Sequence, residues 1–457
     1  MNTSYDVKFW AITRNESSKT PSYVVRWKVG GRQKSKTFRT KALAENFLSD
    51  LRQAAKRGEP FDVETGLPLS MLQAKSARTV FDFVRAYIEM KWPHAAAKSR
   101  DSMSDALATA LPALVKERPG RPDAETLRTA LRKYALLPEG KQPDAPPAMA
   151  RAIRWLEGAS LDLADLGETK TVRLALDALD ALALRLDGKA ASANTVRRKR
   201  AVLHALLEYA VELEELSANP LHRIKWKPPK TTETVDPRVV VNPRQAQELL
   251  TAVTYVGKRG RGRRLMALFA CMYYAALRPG EAVALRKDDC HLPEHGWGRI
   301  LVDVSRPEVN TQWTDTGDAH EERGLKHRGR DDVRPVPIPP ALVTILQQHI
   351  EEYGLSLDGR LFQSERGGVV ASTAYTEVWQ EARKLALTPA QVTSPLAHRP
   401  YDLRHAAVSL WLNAGVPAPD VAERAGHGVD VLLRVYAKCI DGQQEIANRR
   451  IDEALAA

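Results

Sequence analysis

Cysteine is scarce: Cys271, Cys290 and Cys439 are the only three in 457 residues, and they lie far apart. So few thiols, odd in number and widely spaced, exclude a disulfide framework and a cysteine-based zinc site, and a reducing cytoplasm is the expected setting. Long apolar runs are also missing. The longest, residues 265–277, has 13 residues, whereas a membrane span needs about 20, so it is expected as a buried helix and no membrane partner is expected. The first residues lack the apolar core of a secretory signal. No internal repeat period is present.

Acidic residues are in deficit. Against 68 lysines and arginines stand 56 aspartates and glutamates, a formal net charge of +12. That excess favours a polyanionic partner such as nucleic acid, with diffuse solubility charge as the plain alternative. An apolar content of 44% and a charged content of 27% are those of an ordinary globular protein. At about 150 residues per domain the length suggests roughly three domains.

Residues 5–38 alternate polar and apolar in short runs, with Gly30-Gly31 between the last two, which predicts a hairpin within a small sheet. Leu43, Phe47, Leu48 and Leu51 then predict a helix from Lys41 to about Lys56. Residues 1–60 carry 13 basic against 5 acidic residues, two-thirds of the chain's net charge. A domain over 1–60 is expected, with Arg26, Lys28, Arg32, Lys34 and Lys36 as a DNA-binding face; a solvated basic sheet edge is the bland alternative. Residues 61–77 are expected as a linker. From 78 to 226 the pattern is helical, with a Pro- and Ala-rich insertion at about 118–147. Near its end, Ser192 or Asn194 caps a helix with an apolar stripe through Val196, Val202, Leu203, Leu206 and Leu207. Arg197, Arg198, Lys199 and Arg200 crowd its first turns. Cations there oppose the helix dipole, so phosphate contact is expected to account for them. Residues 227–243 hold four prolines and are expected as a second linker. A mixed, mostly helical region follows over 244–445, with β segments near 299–304 and 333–338, and a tail over 446–457. In that tail Ile446, Ile451 and Leu455 could meet a neighbouring subunit or fold back.

Four places in the last 200 residues hold polar side chains that a plain core would not need. Arg278 ends the long apolar run in "ALRPGEAVALR". Arg404 and His405 open an amphipathic helix in "DLRHAAVSLWLNAG". His427 lies in a Gly-flanked turn of "AGHGVDVLLRVYAK", with Tyr436 nine residues later. Lys326 stands in the basic turn of "RGLKHRGRDD". Each alone reads as packing or a solvated charge.

Together, the order Arg278, Lys326, Arg404-His405, His427, Tyr436, with 23 residues from Arg404 to His427, resembles the tyrosine recombinase (phage integrase) family. The resemblance is strongest over 240–445 and extends loosely to "NTVRRKRAVLHALLEYAVE" and "ANPL". It implies a multidomain, mainly α protein: a small N-terminal sheet-plus-helix domain that contacts arm sites, an all-helical core-binding domain, and a mixed α/β, mostly helical catalytic domain. It implies cutting and rejoining of duplex DNA through a 3′-phosphotyrosyl link without metal, ATP or other cofactor. The partners it implies are core and arm DNA sites, a tetramer on DNA, and an excisionase or a host bending protein, in the cytoplasm at the nucleoid. By the resemblance Tyr436 is the nucleophile, Arg278 and Arg404 clamp the phosphate, His427 hydrogen-bonds it, Lys326 is the general acid and Glu281 orients the basic groups. The physical demands agree: two guanidiniums suit the charge of a phosphorane-like state, and a tyrosine of pKa about 10 needs cations or a base to ionise. One position departs from the family. Tyr401 stands where members usually carry histidine, so either Tyr401 hydrogen-bonds the phosphate in its place, or His405 supplies the base, or the enzyme is slowed. A catalytically inactive DNA-binding regulator and a type IB topoisomerase-like enzyme are the alternatives.

Overall fold

The computed structural model describes residues 2–15, 22–76, 78–168, 172–185, 187–227, 229–230, 234–324, 333–439 and 443–456. The chain divides into two compact units, Met1–Pro229 and Lys230–Ala457. It is mainly α with small antiparallel sheets, as the sequence implies.

In the first unit, strand Ser22–Val29 is flanked by Arg32–Phe38 on one edge and by Val7–Phe9 and Thr13–Asn15 on the other. Gly30 and Gly31 turn the hairpin with φ of 53° and 86°, the positive values that a two-residue loop matched to strand twist requires. Val25, Trp27 and Val29 point to one face and are covered by Leu48 and Leu51 of helix Lys41–Lys56, capped by Thr40. This small core also takes in Phe61 and Val63, with Leu67 and Met71 packed against it. Residues 61–76 are therefore not a free linker. Phe61–Asp62 pairs with Thr3–Ser4, and a helix follows over Leu69–Ser76.

The helical part of the first unit includes Val80–Lys91, Ala97–Ala110, Pro147–Ala159, Val172–Leu182 and Ala193–Glu212. Ser192 caps the last of these, accepting from the Thr195 N–H. The Pro- and Ala-rich stretch is docked: Leu127 and Ala130 of helix Ala124–Ala130 pack on Ala152.

The second unit is built on helix Arg261–Tyr274, whose buried residues run through its last turns. Ala275, Ala276 and Leu277 remain fully buried but leave the helix, and Ala276 adopts a left-handed φ of 49°. The apolar run thus delivers the chain to Arg278 rather than ending as helix. Strand Gly298–Val302 pairs with Cys290–His291 and with Arg334–Ile338 in a three-stranded sheet. Helices Pro243–Val253, Pro340–Tyr353, Ser372–Ala386, Asp402–Asn413, Ala418–Ala425 and Val429–Tyr436 enclose the core. Part of the expected second linker belongs to this unit, because Val235 and Val241 are buried and the Val235 N–H bonds the Val435 carbonyl at 2.7 Å. Helix Gln443–Leu455 follows, with Ile451 and Leu455 exposed.

Candidate active site

Three elements of the second unit bring the singled-out residues together. Arg278 heads helix Pro279–Ala284, where the Glu281 carboxylate accepts from its backbone N–H at 2.8 Å and from its guanidinium at 2.7 Å. Arg404 sits in the first turn of helix Asp402–Asn413 and is fully buried. Its guanidinium donates to the carbonyls of Ala276 and Ala425, and its Nη2 meets His427 Nε2 at 2.9 Å. The left-handed turn at Ala276 therefore aims a carbonyl at the second arginine. His427 lies between Gly426, which ends helix Ala418–Ala425, and Gly428, which starts helix Val429–Tyr436. Gly426 is required twice over: its φ is 64°, and a Cβ there would stand 2.0 Å from the Arg334 guanidinium. Its carbonyl accepts from Arg278 Nη2 at 2.9 Å.

Tyr436 closes the cluster. It is 1% exposed, and its hydroxyl lies 2.9 Å from His405 Nδ1. The Tyr401 ring packs edge-on against the His405 ring at 5.0 Å. Arg278, Glu281, Tyr401, Arg404, His405, His427 and Tyr436 thus form one connected cluster. Lys326 lies outside the described residues. His398, on the preceding loop, is exposed.

A further residue belongs to this cluster. Arg334, 1% exposed, donates to Glu281 Oε2 at 2.7 Å and to the Ala425 carbonyl at 3.4 Å. The signal was in the sequence: Arg334 has the same parity as Val336 and Ile338, so it opens the inward face of its strand.

The electrostatics follow from two buried guanidiniums, Arg334 and Arg404, and the partly exposed Arg278 near one carboxylate. Glu281 is held down at about 2 by Arg334, Arg278 and Arg404, against the opposing effect of its burial. Burial, and then Arg404, push His427 down to about 3 and His405 to about 4, so both imidazoles are neutral at pH 7. Burial pushes the Tyr436 phenol well up, with Arg404 opposing. The site holds an unmatched positive charge beside a protonated phenol and a neutral imidazole.

The basic residues expected to meet DNA have mixed fates. On strand Ser22–Val29, Arg26 and Lys28 point away from the helix, whereas Arg32, Lys34 and Lys36 stand opposite Val29, Trp27 and Val25 and share the helix-covered face. Lys34 donates to the Glu64 carbonyl, and Lys36 lies 4.4 Å from the Phe47 ring centre and pairs with Glu214. The five do not form one face, because a strand alternates and the pairing register splits them. Arg197 and Arg198 are exposed, and Arg200 stacks 4.7 Å over Trp226. Lys199 turns inward to Asp105 at 2.9 Å and to Thr109 at 3.0 Å. It sits at the helical spacing of Val196 and Leu203, inside the apolar stripe, so its charge is committed within the unit.

No family model matches the chain. A prophage ps2 probable integrase of Lactococcus lactis subsp. lactis (strain IL1403) is 26% identical over 247 residues, 51% of this chain and 59% of that protein. A XerC-like tyrosine recombinase of Caldanaerobacter subterraneus subsp. tengcongensis is 21% identical over 286 residues, 57% of this chain and 66% of that protein. The chain is similar to the tyrosine recombinases of the phage integrase type. This recombinase-like chain spans less than two thirds of the length of each of these curated relatives. Among solved structures, the Tn1549 transposon integrase in complex with a circular intermediate DNA is 17% identical with a TM-score of 0.46, covering 67% of this chain and 92% of that one. A lambda integrase tetramer bound to a Holliday junction is 12% identical with a TM-score of 0.42, covering 91% and 95%. Among the described residues, no helix of the recombinase-like chain is long and apolar enough to cross a membrane.

Proposed function

We propose that the chain is a site-specific DNA recombinase that cuts and rejoins duplex DNA through Tyr436, integrating or excising a mobile element. The observation that carries this reading is the single cluster in which the Tyr436 hydroxyl meets His405, the Tyr436 ring lies beside His427, and His427 meets Arg404. In the reaction the Tyr436 oxygen attacks the scissile phosphorus and the bond to the 5′ oxygen breaks. A 3′-phosphotyrosyl link forms, and the 5′ oxygen leaves with a proton. Bond energy is conserved in the phosphotyrosyl ester, so religation needs neither ATP nor a metal ion. Arg278 and Arg404 bind the non-bridging oxygens; their hold on backbone carbonyls pre-orients them, so little reorganisation accompanies charge build-up. His405 accepts the phenolic proton. A phosphate anion between the arginines offsets the cationic field that depresses His405 and His427 and makes both more basic on DNA binding. Lys326 supplies the proton to the leaving oxygen. Because Tyr436 is 1% exposed, helix Val429–Tyr436 opens to reach a phosphate.

The partners in this reading are duplex DNA at core sites and at arm sites, the latter through Arg26 and Lys28 on the open sheet face, and further copies of the chain in a tetramer. Helix Gln443–Leu455, with its exposed Ile451 and Leu455, is the segment offered to a neighbouring subunit. A nicked suicide substrate carrying the core site tests the reading. Wild type is expected to yield an SDS-resistant protein–DNA adduct and Tyr436→Phe none; equal adduct from both would overturn it.

One observation favours a second reading, a DNA-binding regulator without catalysis. Tyr401 occupies the usual histidine position and packs edge-on against His405. Tyr401→His separates the two: a regulator forms no adduct with either residue.

A further inference from the structure

The helix Ala193–Glu212 in the first unit carries a group of side chains that the recombinase reading does not use. His204 and Glu208 lie one turn apart on the same face. Beyond the helix, Asn219 caps the short turn Pro220–Arg223, accepting from the Leu221 N–H at 3.0 Å, and this turn carries His222 back against the helix. His204 Nε2 and His222 Nε2 stand 3.2 Å apart. Glu208 Oε1 lies 3.6 Å from the first and 3.5 Å from the second.

The three ligand atoms form a nearly equilateral triangle. A tetrahedral ion with imidazole and carboxylate ligands at about 2.0–2.1 Å has ligand-to-ligand edges of about 3.3–3.4 Å, so the triangle already has the size of one face of such a polyhedron. Two imidazole Nε2 atoms this close cannot both carry a proton without opposing each other, whereas both can offer lone pairs to a cation. The carboxylate brings the negative charge that a dication favours. The ligands are also supported from behind. Asn219, 2% exposed, donates through Nδ2 to Glu208 Oε1 at 2.7 Å and to the His204 carbonyl at 3.3 Å, fixing the carboxylate and the turn together. The His204, Glu208 and His222 side chains are all partly open to solvent, which leaves an entry path and a fourth position for water.

We infer that His204, Glu208 and His222 bind a divalent transition-metal ion of the zinc class. Nitrogen and oxygen donors in this number select Zn²⁺, Co²⁺ or Ni²⁺ over Mg²⁺ or Ca²⁺, which take oxygen ligands and higher coordination. The ion pins the turn Pro220–Arg223 to the helix, at the point where the chain begins to leave the first unit. This role is structural and independent of the chemistry at Tyr436, so it stands or falls apart from the recombinase reading.

The test uses the full chain, stripped with chelator and titrated with Co²⁺ and Zn²⁺, reading stoichiometry by calorimetry and geometry by the visible cobalt bands. Wild type is expected to take up one equivalent with a tetrahedral cobalt spectrum that His222→Ala and Glu208→Gln lose. Removal of either ligand is expected to weaken Zn²⁺ at this site by at least about 100-fold. Zn²⁺ is further expected to raise the melting temperature of wild type but not of His222→Ala. Equal stoichiometry and affinity in wild type and both variants would overturn the assignment, as would the absence of any bound equivalent in wild type.

Discussion

Each unit holds a cluster of charges, and the two are built to opposite rules. In the first unit Asp105 gathers Arg128, Arg132 and Lys199, and Arg132 reaches on to Asp101. About a quarter of each Asp105, Arg128 and Arg132 side chain remains exposed, and every cation of the cluster is paired with a carboxylate. In the second unit Arg278 and Arg334 share a single carboxylate, Glu281, and Arg404 is met by the carbonyls of Ala276 and Ala425, with Gly426 accepting from Arg278. A cluster whose cations are all paired with carboxylates joins helices. One in which Arg404 is held by backbone carbonyls instead keeps positive charge that no carboxylate pairs. Arg404 Nε and His427 Nδ1 are buried without a hydrogen-bond partner.

The comparison breaks first on its carboxylates. Glu281→Gln leaves the buried Arg334 and Arg404 and the partly exposed Arg278 with no anion, and removing one partner of a buried charge cluster costs about 3–5 kcal/mol. Urea unfolding is expected to show that loss, together with weaker adduct formation because Arg278 is no longer held. Phosphate or DNA is expected to restore part of the stability, since an anion replaces what was removed. A loss below about 1 kcal/mol would mean that the carbonyls alone hold the site.

Asp105→Asn is the matched change in the first unit. Burial opposes the lowering of its carboxyl, which Arg128 and Lys199 nevertheless hold at about 2. Water reaches the cluster, and asparagine keeps one acceptor. The expected cost is therefore about 1–2 kcal/mol, with no recovery on adding phosphate. If Asp105→Asn costs as much as Glu281→Gln, or is rescued by anions, the contrast between a stitch and a site is lost.

How much of this contrast is legible in the sequence depends on what periodicity can express. The helix Lys41–Lys56, the Gly30-Gly31 hairpin and the Ser192 cap each follow from local rules, and the structure has all three. Arg278, Arg404, His427 and Tyr436 stand out because polar residues interrupt apolar runs. Their convergence is another matter: it depends on Ala276 taking a left-handed turn and on Gly426 admitting Arg334. Neither contact is encoded in spacing. The grouping of the basic residues is not legible for a related reason. Four adjacent basic residues look like one patch, yet a helix distributes them round its circumference, and Lys199 goes inward to meet an aspartate some ninety residues earlier in the chain. Lys34 and Lys36 likewise fall on the covered side of the sheet.

The smallest expected effect separates the two clusters by pH. In the second unit burial and Arg404 depress His405 to about 4 and His427 to about 3. In the unfolded chain both titrate near 6.5. Below pH 6.5 the unfolded state therefore binds more protons than the folded one. Stability from these two groups is fully present above about pH 6.5 and drains as pH falls toward 4 and 3, at up to about 1.4 kcal/mol per pH unit for each. Asp105 follows the same sign in a different window, since its unfolded carboxyl titrates near 3.9 and its contribution survives to that pH. Between pH 6.5 and 5 the slope therefore comes from the second unit's histidines and not from Asp105. Urea unfolding of the full chain across this range is expected to show a slope in His427→Gln shallower than wild type by about 1 kcal/mol per pH unit. Asp105→Asn is expected to keep the wild-type slope. An unchanged slope in His427→Gln would mean that His427 is already charged beside Arg404, and the site would then be more cationic than its geometry indicates.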